Sequence, residues 1–214
     1  MKRFWAFYIP YFIFIIVLSI LIIANEKAEL HLWLSTPHTA LGDLFFKHFT
    51  DAGGSLPFIV AGVLLFYKYR TALFILASQI LVTLITQPAK QIFNMPRPKT
   101  FFAANFPDVA LPMVEGVRVH SWKSFPSGHS ATVFAFFFCV ALMTKNKTLQ
   151  FVCFVAAVTG AYSRIYLHQH FASDVLAGTI IGGFATTLCY VFVFNKYNMT
   201  WANGSLMNLI KKRK

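Results

Sequence analysis

The sequence predicts an all-α fold, an integral membrane bundle of six transmembrane helices, and three observations carry that expectation. First, 57% of the 214 residues are hydrophobic and 12% are charged. Soluble domains are roughly 45–50% apolar and about 25% charged, so a soluble fold of this length would lack the polar residues to cover itself. Second, six runs free of charge, 4–25, 52–67, 71–89, 126–144, 148–163 and 175–195, come near the roughly 20 residues a helix needs to cross a bilayer. Third, the charges between these runs fall unevenly on two sides. Disorder is excluded by an aromatic content of 17%, which no solvated chain needs.

Each run has its own justification. The first follows Lys2 and Arg3 and resembles a signal peptide, but it exceeds an h-region of about 7–15 residues and no clean A-x-A site follows it. It reads as a retained anchor. The second is short, with Lys68 placed to snorkel. The third carries Gln79, Thr83, Thr86 and Gln87, polar groups that suit a face turned into the bundle. The fourth opens at Pro126, a residue that fits the first turn of a helix because its missing N–H would be unpaired there. Its Phe134, Phe136, Phe137 and Phe138 suit lipid contact or core packing better than a cofactor box. The fifth is short and the sixth ends before a basic tail, 196–214. Cys139, Cys153 and Cys189 lie inside apolar runs without a C-x-x-C or Cys/His pattern, and read as small buried hydrophobes. No internal repeat divides the chain, so 1–214 reads as a single membrane domain.

Loop charges set the orientation. The N-terminus, the 67–71 and 144–148 turns and the tail together hold eleven basic and no acidic residues. The opposite side holds eight basic and all seven acidic residues, all seven histidines and the two longer loops, 26–51 and 90–125. The first side is expected to be cytoplasmic. The net charge of +12 is then a topology signal, not a nucleic-acid footprint. The final Lys211-Lys212-Arg213-Lys214 is placed to meet anionic headgroups, and N-x-S/T triplets at Asn146, Asn198 and Asn203 fall on the cytoplasmic side, where they would not be glycosylated.

Three clusters sit at the outer boundary: Lys90-x6-Arg97-Pro98, Pro126-Ser127-Gly128-His129, and Ser163-Arg164-x5-His170-x3-Asp174. Ionisable groups at membrane depth are costly and tend to be functional. Lys90, Arg97 and Arg164 offer three cations to one compartment. Ser127, Gly128 and His129 stand at a helix N-terminus, where free N–H groups and the dipole favour an anion, and Gly128 permits close approach. His170 and Asp174 are spaced i, i+4, so a helix there would set the carboxylate beside the imidazole and free the other ring nitrogen as nucleophile or base. Cations, N–H donors and two histidines from different helices point to in-line phosphoryl transfer. Singly, each residue has a plainer reading: a wet helix end for His170, a helix start for His129, a snorkelling lysine for Lys90. Their joint spacing outweighs those readings. His168 lacks a carboxylate at i+4 and reads as an interface residue. Arg118, His120 and Lys123 read as a solvated loop, and Trp122 as a membrane-interface marker.

These motifs, in this order and spacing, resemble the signature of the type 2 phosphatidic acid phosphatase (PAP2) superfamily, with every signature position present from Lys90 to Asp174. The resemblance implies the PAP2/haloperoxidase-like core. It also implies a nucleophilic His170 that forms a phosphohistidine, oriented by Asp174. His129 would protonate the leaving oxygen and then activate water. Lys90, Arg97, Arg164, Ser127 and Gly128 would hold the phosphate. The family needs no metal or other cofactor, in keeping with a sequence lacking a carboxylate cluster suited to Mg²⁺.

The expected protein is therefore a multi-pass lipid phosphatase or pyrophosphatase of the bacterial inner membrane, with both termini cytoplasmic and its site on the periplasmic or extracellular face. Its partners are the bilayer and a membrane lipid phosphate. Candidates are undecaprenyl diphosphate, to which the reading leans, phosphatidylglycerol phosphate, phosphatidate and lipid A, with segment 99–123 as the piece beside the site that decides among them. The alternative is a small transporter or binding protein for an anionic lipid or phosphate. Clustering of the ionisable groups at one face instead of the midplane disfavours it. The soluble vanadate-dependent haloperoxidases, which resemble the same motifs, are disfavoured by the six apolar runs.

Overall fold

All six apolar runs fold as helices in the computed structural model, which describes residues 2–36, 38–196, 202 and 204–208. In chain order the helices are α1 (Trp5–Ala24), α2 (Lys27–Ser35), α3 (Ala40–Phe49), α4 (Leu56–Tyr67), α5 (Tyr69–Phe93), α6 (Pro98–Asn105), α7 (Gly128–Met143), α8 (Lys147–Tyr166) and α9 (Ala172–Tyr190), the last continuing into a π-helical turn at Val191–Lys196. No strand occurs among the described residues. By length and hydropathy four stretches can cross a membrane: α1, α5 running on through α6, α8, and α9 with its π-turn. A fifth is obtained if α3 and α4, bent by 51° at a short break, count as one broken span. The expected six full spans are thus reduced to four or five, because α7 has only 16 residues and α4 only 12.

Burial explains how a helix as short as α7 holds its place. Ala131, Val133, Phe134, Ala135, Phe138, Cys139 and Ala141 are fully buried, so the helix is apolar all round, as a central helix must be. Neighbours reach it through small residues. A Cβ on Gly178 or Gly182 of α9 would overlap the carbonyls of Ser127 and Ala131, and one on Gly160 of α8 would lie 2.6 Å from Val133 Cγ2. Backbones packed this closely gain dispersion contacts where no hydrophobic driving force separates protein from lipid. The phenylalanines of α7 pack inward, with Phe138 stacked on Phe7 of α1 at 4.3 Å and Phe134 beside Tyr11 and Phe14. The three cysteines are free and buried.

The two ends of the bundle differ. At one end the Gln150 side chain donates to Arg3 O and Thr144 O, Lys147 also reaches Arg3 O, Arg70 donates to Val193 O, and Tyr69 N–H donates to Gly204 O. Phe4 and Tyr190 meet edge to face between them. The four basic loop segments therefore share one end. Asn146 caps α8 there, its side chain accepting from Leu149 N–H. The Asn198 triplet, Asn203 and the terminal Lys-Lys-Arg-Lys lie outside the described residues.

At the other end the 26–51 loop is largely helical, folded into α2 and α3. Thr39 caps α3 by accepting from Gly42 N–H, and α3 turns Leu41, Leu44 and Phe45 outward while Lys47 and His48 face a cavity. Segment 99–123 begins in α6 and is irregular beyond it.

Candidate active site

The end of α8 is shaped by one carbonyl. Arg164 O accepts the N–H groups of both Gln169 (2.9 Å) and His170 (3.0 Å), and His168 takes a left-handed φ of 50°, so the chain reverses and Phe171 becomes the N-cap of α9. Asp174 is then the third residue of that helix. Its Oδ2 accepts Phe171 N–H at 3.0 Å and Ser124 Oγ–H at 2.5 Å, and lies 3.5 Å from His170 Nδ1. The i, i+4 juxtaposition expected from a helix over His170 is thus made differently. His170 precedes the helix, and a capping interaction draws the carboxylate back beneath it. Nδ1 faces the carboxylate, which leaves Nε2 free to act as a nucleophile or a base. Burial, opposed by Asp174 and reinforced by the Arg97 and Arg164 cations, pulls the His170 pKa down to about 3, so the ring is neutral at pH 7.

The Pro-Ser-Gly-His turn is tied to the same place. Ser127 N–H donates to Asp174 O at 3.0 Å. The helix opens two residues later than expected, at Gly128: Pro126, after a cis Phe125–Pro126 peptide, precedes the cap, and Ser127 is the N-cap. Ser127 Oγ accepts Ser130 N–H (3.3 Å) and Ser130 Oγ–H (2.8 Å). Its side chain is fully buried and outside the cavity lining, so its hydroxyl caps α7. Gly128 and His129 do line the cavity. Their N–H groups are the first two of the helix, the ones no helical carbonyl can satisfy, and Lys90 Cε would lie 3.7 Å from a Cβ on Gly128. Across from them, His129 Nε2 faces Gly54, 3.9 Å from where a Cβ would stand.

The cavity has a volume of about 740 Å³. His129 and His170 line it together with Lys90, Arg97 and Arg164, all three cations being buried. Each is braced by neutral acceptors instead of carboxylates. Lys90 Nζ donates to Lys123 O (2.8 Å). Arg97 donates through Nε to Trp122 O (3.1 Å) and through one terminal nitrogen to Gln169 Oε1 (2.8 Å) and Gln169 O (3.2 Å). Arg164 donates to Thr50 Oγ1 (2.5 Å), and its buried Nε has no hydrogen-bond partner. Cations without ion-pair partners leave their charge for a ligand, which suits a phosphate. Asp174 lies behind His170, out of the lining. Among the described residues no group of His, Cys, Asp and Glu is placed to hold a metal ion.

The sequence thus names His170, His129, Lys90, Arg97, Arg164 and Gly128 on one cavity wall, with Asp174 behind it and Ser127 in the cap. It misses Ser124, Gln169 and Thr50, each of which meets its partner across 46–114 residues of chain. Only Gln169, beside His170, carried a positional hint. His168 is corrected. It is 1% exposed and no interface residue: its Nδ1 lies 3.0 Å from Nε2 of the equally buried His31. His38 stacks on it at 5.3 Å and pairs with Asp43 at 2.9 Å. Thr83, Thr86 and Gln87 line the cavity, while Gln79 donates across the bundle to Thr132 O.

Fold and site together define a helical membrane protein in which a histidine backed by an aspartate shares one cavity wall with three buried cations. The sequence profile of the PAP2 superfamily matches residues 69–198, more than half of the chain, and the chain belongs to that superfamily. It is 36% identical over 72 residues to the lipid A 4'-phosphatase of Bacteroides thetaiotaomicron, a match covering 34% of this chain and 32% of that one. The chain thus spans about a third of the length of that curated relative. The crystal structure of Aquifex aeolicus LpxE superposes with a TM-score of 0.63 at 26% identity, over 76% of this chain and 93% of that one. That of the PAP2-type phosphatidylglycerolphosphate phosphatase of Bacillus subtilis gives 0.63 at 23% identity, over 89% and 98%, a likeness of fold alone.

Proposed function

We propose that this chain is a metal-independent lipid phosphatase that works through a phosphohistidine on His170. The observation that supports it most is His170, neutral and held by Asp174, on the wall of a cavity that also presents His129 and three buried cations without carboxylate partners. In this reading His170 Nε2 attacks phosphorus, and the bond from phosphorus to the lipid oxygen breaks. His129 takes up the proton that a phosphate monoanion brings into the cavity and passes it to that oxygen, releasing the lipid alcohol, or a lipid monophosphate if the substrate is a diphosphate. The developing imidazolium of His170 is stabilised by Asp174, which Ser124 and Phe171 N–H hold in place. Water then attacks the phosphohistidine, His129 takes the water's proton, and inorganic phosphate leaves with His170 regenerated. Lys90, Arg97, Arg164 and the Gly128 N–H offset the charge on the phosphoryl oxygens, while Ser127 fixes the helix end that presents them.

The substrate in this reading is a cell-envelope lipid phosphate. Lipid A is favoured by the relative named above, and undecaprenyl diphosphate, phosphatidylglycerol phosphate and phosphatidate complete the set. The chain is one domain over 1–214 with six membrane-embedded helices (α1, α4, α5, α7, α8 and α9) in a bacterial inner membrane. Its basic end is cytoplasmic and its site is on the periplasmic or extracellular face. The test is phosphate release by the purified protein in EDTA across these four lipids. Release from at least one, lost in His170→Ala, is the expected result. Binding without turnover would favour a transport or binding role instead.

A further inference from the structure

The cavity holds more positive charge than one phosphate needs. Five cations line it, namely Lys47, Lys90, Arg97, Arg118 and Arg164, against a single carboxylate, Asp51. A phosphate monoester brings at most about two negative charges, so roughly two positive charges are left over. They divide by depth: Lys90, Arg97 and Arg164 are buried, whereas Lys47 is half-buried and Arg118 is exposed. The outer pair belongs to elements that the three motifs do not include, α3 and the 106–125 loop.

These outer groups are built into place. Lys47 Nζ donates to Glu115 O at 2.8 Å. It sits so close to Gly116 that a Cβ there would be 2.6 Å away, and Gly116 takes a φ of 74°, a turn that glycine alone adopts without strain. The turn therefore docks on the α3 lysine and uses one of its three donors. Two residues on, Arg118 O accepts Gln169 Nε2 at 2.9 Å, and the same Gln169 braces Arg97. His120 lines the cavity between the two sets, near enough to Arg97, Arg118, Arg164 and Lys90 to feel all four charges. A cavity of about 740 Å³ falls in the range that takes a whole headgroup, about 300–1,000 Å³.

We propose that Lys47, Arg118 and His120 form a second anion subsite at the cavity mouth, which receives a second phosphate carried by the substrate's own headgroup while the inner cations hold the one being cleaved. The subsite selects bis-phosphorylated headgroups over singly phosphorylated ones. It rests on the lipid-phosphatase reading and deepens it. A neighbouring anionic lipid offers the same chemistry from another molecule, and the experiment separates the two.

The experiment measures kcat/KM in neutral detergent micelles for two synthetic acylated disaccharides, one bearing a single phosphate and the other two. The proteins are wild type, Lys47→Gln, Arg118→Gln and the charge-preserving Lys47→Arg and Arg118→Lys. Wild type is expected to favour the bis-phosphate. Each Gln variant should lower the ratio of the two kcat/KM values about tenfold, the effect of losing one charge-assisted contact, while the Arg and Lys variants keep most of it. The ratio serves as its own control for misfolding. A ratio unchanged by either Gln variant overturns the subsite, as does a wild-type preference that appears only when phosphatidylglycerol is added to the micelles. If wild type cleaves neither disaccharide but releases phosphate from another of the four lipids named above, the subsite is overturned; if it releases phosphate from none of them, it is the phosphatase reading that fails.

Discussion

At the scale of single residues the site depends on one carboxylate oxygen shared by three groups. Asp174 Oδ2 serves Ser124, Phe171 N–H and the His170 ring. Ser124→Ala removes the shortest of these contacts and loosens the partner of the nucleophile. Its expected effect is a fall in kcat of about tenfold, in the range found for groups that orient a reacting residue, with KM nearly unchanged. Steady-state kinetics on any accepted lipid checks it. The histidines also set an acid limit on stability. Burial holds His170 and His31 at about 3 and His168 at about 4, with His168 and Lys27 adding to it for His31 and His38 for His168. Below the ordinary histidine value of 6.5 the unfolded chain binds protons that the folded one refuses. Stability is therefore complete above pH 6.5 and falls as pH drops from 6.5 towards 3, by at most about 1.4 kcal/mol per unit for each ring. Thermal unfolding in detergent between pH 7.5 and 4.5 measures it, and His31→Phe should flatten the slope.

At the scale of elements the site is a meeting of helix ends. The start of α7, the start of α9 and the end of α8 converge because α9 lies against α7 through Gly178 and Gly182. Gly182→Leu drives a side chain into the Ala131 carbonyl. The expected cost is about 3 kcal/mol, read as a lower melting temperature with loss of activity, while Gly62→Ala, with open space around its Cβ position, should change neither. The same level explains what the sequence discloses. His170, His129 and the three cations are legible because a charge at the end of an apolar run is conspicuous, whatever its neighbours. Asp174 is legible by its i, i+4 spacing, although the geometry behind that spacing is a helix cap and not a helical turn. Ser124 is not legible, because serines are common and its partner lies 50 residues away. His168 is misjudged for a related reason: its partner, His31, sits in α2, a helix whose low hydrophobicity hides it within an outer loop.

At the scale of the whole molecule, charge and site lie at opposite ends. The contacts that join Arg3, Thr144, Tyr69 and Val193 gather the basic loops at the end remote from His170. The positive-inside rule then predicts a site on the far side of the membrane. Reporter fusions after Lys68 and Lys145 are expected to report the cytoplasm, and a periplasmic signal from either would reverse the orientation. Length is where the sequence overstates the span count, since charge-free runs at 52–67 and 126–144 fold into helices of 12 and 16 residues. Their shortness is tied to the site, for the chain between α3 and α4 and the first two residues of α7, Gly128 and His129, both line the cavity. The central claim is that His170 carries the phosphoryl group. It is tested most directly by quenching the enzyme in base, milliseconds after mixing with phosphate-labelled lipid, and mapping the label. An acid-labile, base-stable phosphoenzyme on the peptide containing His170, absent in His170→Ala, is the predicted result. Turnover without a labelled enzyme, or a label that survives in His170→Ala, would contradict it.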